Sequence, residues 1–412
     1  MTVAQTELKY APAPPDNPLK GFVPYVEIDG WERFPHSMQF HYFPLRDLML
    51  GYDRFDWSSI EAKLDVAQSR GCQMTFRIML EYPGRPTCVP QFLIDKGVKI
   101  TRWKMDTADG GVCYTPDYED PRLRRALELF LKAFGEKYDG DPRIGFLTAG
   151  LLGSWGEWHT YPKGELWASK ETQQIVLDGF AKAFRKTPVL LRYPVAEGHF
   201  DQAKNANLRF GYHDDSFNWA TLDTGKKEDS WFFIPLLKAA GVESKWKEFP
   251  IAGELRPELW KTSFTGESHP QEQGFDECVK ETHVTWLLDT GLFSEKFPLP
   301  EDRKERAIRA ARMMGYEFHL FSWEVVEGEV HLVVENRGVA PFYHDWPVEL
   351  MSGETVVATF DLRGILPGES TVWKAKTGET GPFRVRVPNP MPGGKPLRFA
   401  NEEQGDEWLE LP

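Results

Sequence analysis

The chain has 412 residues, and 49 Lys+Arg against 62 Asp+Glu give a formal charge of −13. A length of this size accommodates two or three domains, and 41% hydrophobic with 27% charged residues is the composition of a folded, not a disordered, protein. An acidic balance without a basic block argues against nucleic acid and anionic membranes as partners, and no apolar run reaches the roughly 18 residues of a spanning helix.

Residues 1–18 read as an Ala/Pro-rich extended arm that ends in Asn17-Pro18. Residues 1–20 lack a basic region followed by an apolar one. A cytoplasmic location is therefore expected, or secretion if a leader has been removed. Gly21 to Glu27 is a candidate first strand and Phe43 to Met49 a second. Ser58 and Glu61 have capping-box spacing before a helix with Ile60, Leu64 and Ala67 on one face, ended by Gly71. Cys72 to Tyr82 is a third strand, followed by a long loop at 83–119; loops of that length usually surround a site. Asp120-Pro121 opens a helix with a stripe of Leu123, Leu127, Phe130, Leu131 and Phe134. Ile144 to Leu152 is a fourth strand, and Ser169 to Phe184 a helix with Ile175, Val176, Phe180, Ala183 and Phe184 inward. Thr187 to Tyr193, Leu208 to His213, Phe249 to Glu254 and His283 to Asp289 are the fifth to eighth strands, and Pro300 to Gly315 is a final helix.

Eight such strands, each followed by a helix or by room for one, predict an α/β fold: a (β/α)8 TIM barrel over 19–315. A doubly wound sheet would show a Gly-rich phosphate loop after its first strand, and none is present. From Tyr316 the pattern changes to short alternating runs separated by turns such as Glu327-Gly328 and Pro367-Gly368. This predicts an antiparallel β-sandwich over 316–412 that buttresses the barrel. Four cysteines are too few for a disulfide scaffold. Cys72 reads as a small core hydrophobe, and Cys88 and Cys113 as free thiols. No Cys/His spacing matches zinc, so neither a metal nor a cofactor is expected.

Reactive groups of such a barrel project from the C-terminal ends of its strands. Glu157 follows the fourth strand between Trp155 and Trp158, in Gly153-Ser154-Trp155-Gly156-Glu157-Trp158-His159. A carboxyl among indoles is poorly solvated, so its pKa should rise, as a proton donor requires; the bland alternative is a loop Glu paired with an Arg. Glu254 ends the seventh strand, where Arg256 or Arg46 would keep it ionised as a nucleophile; the alternative is a structural Glu–Arg pair. Two carboxyls about 5–5.5 Å apart serve retaining glycoside hydrolysis, and about 6.5–9.5 Å inverting hydrolysis. Glu27, Arg46, Asp47, Arg77, Glu81, Trp155, Trp158, His159, Arg192, Tyr212, His213, Asp214, Asp215, Arg256 and Trp286 are candidate substrate ligands, the acidic ones being equally suited to supporting salt bridges. The aromatic content, 14% with 15 Trp, suits a large core and also the apolar face of a pyranose ring. His213-Asp214-Asp215 is a poor metal motif, since adjacent strand residues point to opposite faces.

Asn17-Pro18-Leu19-Lys20-Gly21-Phe22, the run at 153–159, Gly253-Glu254-Leu255-Arg256-Pro257-Glu258 and the WPVEL segment at 346–350 resemble a bacterial family of glycosidase-like barrels catalogued as paired domains of unknown function. The layout is more distantly similar to clan A retaining glycoside hydrolases. That resemblance implies an acid/base at Glu157 and a nucleophile at Glu254. It also implies an Arg on the second strand (Arg46), an aromatic or His on the sixth (Tyr212 or His213) and a Trp on the eighth (Trp286). The clan places Asn before the acid, where this chain has Gly156. The leading expectation is a retaining hydrolase of an oligo- or polysaccharide. The Asn-to-Gly departure motivates the alternative, a non-catalytic carbohydrate-binding barrel. A lyase using Tyr212 or His213 as base ranks third.

Overall fold

The computed structural model describes residues 3–106, 110–196, 202–379 and 381–412. Eight parallel strands form one sheet: β1 (Gly21–Val23), β2 (Met38–Pro44), β3 (Gln73–Met79), β4 (Ile144–Thr148), β5 (Val189–Leu191), β6 (Gly211–Phe217), β7 (Ile251–Leu255) and β8 (Val284–Leu288). From β2 to β8 each strand lies beside its successor, and β8 pairs with β1. A parallel bridge between Tyr25 and Phe40 brings the β1 and β2 sides together. The result is a nearly closed (β/α)8 barrel.

Local chemistry explains the covering helices. Pro121–Tyr138 starts where the Asp120 carboxylate accepts a hydrogen bond from the Arg122 backbone N–H, with Pro at the first position, and its expected apolar stripe is buried. Lys170–Ala183 is capped by Ser169, whose hydroxyl accepts from Thr172 N. It turns Val176, Leu177 and Phe180 inward, while Ile175 and Ala183 are only half-buried. The Ser58–Ser69 helix lacks the expected capping box. Asp56 accepts from Ser58 N, and Glu61 pairs instead with Lys137 and Arg143.

Two strands are displaced from their expected positions. β2 ends at Pro44, and Leu45–Leu48 forms a helical turn that buries Leu45 and Leu48 beside the sheet. β6 continues past His213 to Phe217, with Asp215 paired to Arg192 on the inward face and Asp214 accepting from Thr221 on the opposite face. The long segment after β3 also carries structure. Ile100–Lys104 and Val112–Pro116 pair as an antiparallel hairpin, and Trp103, Met105 and Cys113 pack with Trp155 and Leu166. The four cysteines are free and buried.

The strands alternate between two apolar clusters, as a covered parallel sheet requires. Leu147, Leu191 and Ile251 pack outward with the helices, whereas Phe146, Leu190 and Ala252 pack inward with Phe40 and Trp286. Two positions further along the inward face come Tyr42, Thr148, Arg192 and Glu254. The barrel's own periodicity thus turns an apolar interior into a polar mouth.

Met49–Gly51 and Arg54–Phe55 pair as a short antiparallel ladder, and the remaining strands form two four-stranded antiparallel sheets. In one, Val3–Glu7 pairs with Phe318–Val326, which leads on to Glu329–Asn336 and Ser370–Lys376. The other contains Thr355–Asp361, Pro347–Ser352, Phe383–Arg386 and Leu409–Leu411. Both sheets share an apolar cluster with the barrel interior. The connection runs through the end opposite the mouth. There the His344 ring meets Phe146 edge-on at 5.1 Å, and Tyr343 donates to the Trp246 carbonyl at 2.6 Å. Among the described residues no helix is long and apolar enough to cross a membrane.

Candidate functional site

Arg77 stands at the centre of the mouth. It follows Gln73 and Thr75 on the inward face of β3 and is 2% exposed. A buried guanidinium needs both charge compensation and hydrogen-bond acceptors. Its Nη1 donates to Glu157 Oε1 at 3.0 Å and to the Trp155 carbonyl at 3.4 Å, and its Nε donates to Thr148 Oγ1 at 3.2 Å. Nη1 also lies 3.4 Å from the Tyr42 hydroxyl, and Nη2 is 3.5 Å from His213 Nδ1. Burial, with Arg77 adding to it, holds the His213 pKa well below the usual imidazole range, so this ring is neutral.

A second buried pair lies beside the first. Arg192, from the end of β5, places Nε 2.5 Å from Asp215 Oδ2 and stacks its guanidinium over Tyr193 at 4.2 Å. Burial works to raise the Asp215 pKa, but Arg192 outweighs it and holds the carboxyl low. The Glu254 carboxyl makes no hydrogen bond among the described residues. Although part of its surface opens at the mouth, protein surrounds it closely. Burial, followed by the charge of Glu157, raises its pKa to about 8. The anticipated guanidinium partners are elsewhere: Arg256 pairs with Glu258 at 2.7 Å, and Arg46 donates to the Thr87 carbonyl at 2.7 Å beside Asp47. The expected pattern, Glu254 ionised by an arginine, is thus reversed, and it is Glu157 that holds the arginine.

Of the other sequence-selected residues, His159 is with the mouth cluster, its Nε2 3.6 Å from Glu157 Oε2, and Trp155 packs half-buried against the hairpin. Period-2 alternation sends Tyr212 and Asp214 the other way from His213 and Asp215. The Tyr212 hydroxyl donates to Asn205, and Asp214 accepts from Thr221 Oγ1 at 2.6 Å, with burial raising its pKa to about 6. Trp158 is buried, donating to the Ala149 carbonyl. Trp286 lies below the mouth, between His213 and Phe146. Glu27 bonds His41 and Lys63, both at 2.6 Å, and this pairing overcomes the effect of burial to bring its pKa to about 2. Glu81 is 1% exposed and accepts from Thr115 Oγ1 at 2.6 Å and from the Tyr118 hydroxyl at 2.8 Å. Tyr118 in turn accepts from Gly153 N, and the Glu81 carbonyl accepts from Trp155 N. Glu81 therefore fastens the hairpin to the loop that carries Glu157. Trp158, Tyr212, Asp214, Glu81 and Glu27 thus have protein partners, and burial or outward placement turns each away from a ligand.

Tyr42 is the residue that sequence reasoning missed. Once β2 is placed correctly, the alternation Phe40-His41-Tyr42 assigns it to the inward face; the displaced strand hid that signal. Among the described residues, the groups arranged so that they could hold a metal are Glu157, His159 and Asp215, whose ligand atoms lie within 4.8 Å of one another. Both carboxylates already neutralise buried arginines, however, and a cation there would face Arg77 and Arg192 as well. The site is better suited to a neutral polar ligand. A groove of about 900 Å³ between helices Pro121–Tyr138 and Lys170–Ala183 lies outside the barrel and holds none of these groups.

No protein-family model and no curated protein matches the sequence. Several solved structures to which the chain is distantly similar are glycoside hydrolases. They include the catalytic domain of a beta-amylase from Paenibacillus polymyxa, at 11% identity and a TM-score of 0.45, covering 71% of this chain and 97% of that one. A GH5_18 protein from Bifidobacterium longum subsp. longum, in complex with Manb1-4GlcNAc, matches at 13% identity and a TM-score of 0.41, covering 67% and 69%. An alpha-amylase from Geobacillus thermoleovorans matches at 9% identity and a TM-score of 0.37, covering 87% and 99%.

Proposed function

We propose that the protein is a glycoside hydrolase that cleaves an oligo- or polysaccharide with Glu157 and Glu254, by retention. The observation that carries this reading is the unequal pair of carboxyls at one mouth. One is bound to a buried arginine, while the other lacks a hydrogen bond and has its pKa raised to about 8, partly by its neighbour's charge. Hydrolysis of an acetal needs one carboxyl that holds a proton and one that stays ionised. The half-buried Trp155 and the hydroxyls of Tyr42 and Tyr193 offer an apolar face and polar contacts for a sugar ring.

The test is turnover of a panel of oligosaccharides and aryl glycosides, followed by reducing-end assay and proton NMR of the product anomer. Glu157→Gln and Glu254→Gln should each lower kcat by at least about 10³-fold, in line with the loss of a general acid or a nucleophile, while sugar binding survives. Full activity in either variant removes that residue from the mechanism. Retention of the anomeric configuration is expected, and inversion overturns the covalent route.

A further inference from the structure

We propose that Glu254 is the proton-bearing carboxyl of the pair and Glu157 the ionised one, the reverse of the roles implied by their places after the fourth and seventh strands. The catalytic meaning of this assignment rests on the hydrolase reading; the location of the proton does not.

Counting charges at the mouth gives the reason. Glu157, Asp215 and Glu254 are three carboxyls, and two buried arginines reach them: Arg77 is ion-paired with Glu157 and Arg192 with Asp215. Arg256 is engaged with Glu258. The groups that act on Glu254 are the carboxylates of Glu157 and Asp215, with Arg77 and Arg256 opposing them, and the hydroxyls of Tyr25 and Tyr42 also lie within its field. Burial keeps both tyrosines un-ionised. Ionising Glu254 would place a third negative charge where only two positive ones are buried. A proton on Glu254 balances the cluster, and its upward-shifted pKa agrees. Glu157 has one oxygen on Arg77 and the other beside His159, so Oε2 is the oxygen left for attack.

The chemistry balances with these roles. The Glu254 proton passes to the glycosidic oxygen as the bond from that oxygen to the anomeric carbon breaks, releasing the alcohol. Glu157 Oε2 supplies the electron pair for the new bond to that carbon. Water then attacks the anomeric carbon and gives its proton to Glu254, while Glu157 departs as carboxylate.

The experiment is infrared titration of the whole protein carrying carboxyl-¹³C glutamate, recorded without any sugar. The label separates glutamate from Asp214 and Asp289, whose pKa values burial also raises. Glu81, a buried glutamate whose pKa burial raises too, is identified by Glu81→Gln, which should leave the band that titrates near 8. The wild type should show a protonated-glutamate carbonyl band that disappears with a midpoint near 8. Glu254→Gln should abolish this band. Glu157→Gln should leave it and lower its midpoint, because a neighbouring negative charge is removed. Loss of the band in Glu157→Gln with only a shift in Glu254→Gln would overturn the assignment, as would a wild type with no glutamate titrating near 8. Should either variant fail to fold, the wild-type titration and the remaining variant still decide. Failure of the hydrolase reading would appear separately, as no product from the sugar panel despite the expected band.

Discussion

Replacing Arg77 by Met probes the centre of the mouth most directly. Met preserves much of the side-chain volume and removes the charge. Arg77 is 2% exposed and Glu157 13%, so both partners are largely shielded from water. Breaking a buried ion pair by removing one member costs about 3–5 kcal/mol, because the other charge stays behind without compensation. Thr148 and the Trp155 carbonyl also lose a partner. Partial access of water to Glu157 places the expected loss near the lower end, about 3 kcal/mol at neutral pH. Glu157→Gln on the Arg77→Met background removes the stranded charge and should return about 2 kcal/mol. A double-mutant cycle from urea unfolding midpoints measures both numbers. A loss below about 1 kcal/mol, or a double variant no more stable than Arg77→Met alone, refutes the account of Arg77 as the charge partner of Glu157.

Stability should depend on pH through Glu254. Its folded pKa of about 8 lies above the ordinary 4.5. The native state therefore binds more protons than the unfolded one across that window, and stability falls as pH rises through it. Glu254→Gln should remove this fall, becoming the more stable protein at alkaline pH, with the gap narrowing toward acid; a gap independent of pH in urea titrations contradicts the raised pKa. Glu81→Ala leaves Thr115 and Tyr118 without their shared acceptor, at about 1–3 kcal/mol each, and hydrogen exchange should quicken at Gly153 and across Ile100–Lys104 and Val112–Pro116; unchanged protection there rules out the fastening role. Gly135→Ala would bring a methyl to 2.5 Å from the Ala183 carbonyl oxygen. The two helices would have to separate, and thermal unfolding should show a loss of about 1–3 kcal/mol.

The barrel was legible because its evidence is periodic and local. Apolar runs, caps and stripes recur along one stretch of chain, and slips of a few residues do not disturb the order of the strands. The errors have particular causes. Phe43 to Met49 reads as a strand on apolar content alone, but burial of Leu45 and Leu48 is equally satisfied by a helical turn. Asp214 and Asp215 looked like the end of a strand because their partners, Thr221 and Arg192, come from other parts of the chain. The site suffered from the same limitation. Strand-end position singled out Glu157, Glu254, Arg77 and Arg192 among many charged residues. Which arginine serves which carboxylate depends on how strands far apart in sequence face one another, and here Arg77 pairs with Glu157 while Arg256 turns to Glu258.

The stopper formed by Tyr343 and His344 at the barrel's lower end has a practical corollary. Tyr316 also crosses the expected junction, donating to the Pro18 carbonyl at 2.7 Å. A chain cut at residue 315 would leave Phe146 facing an uncorked opening, trading a packed plug for wetted aromatic surface. Transplanting this mouth into another scaffold, or shuffling its C-terminal sheets for those of another protein, would therefore succeed only when the plug travels with the barrel.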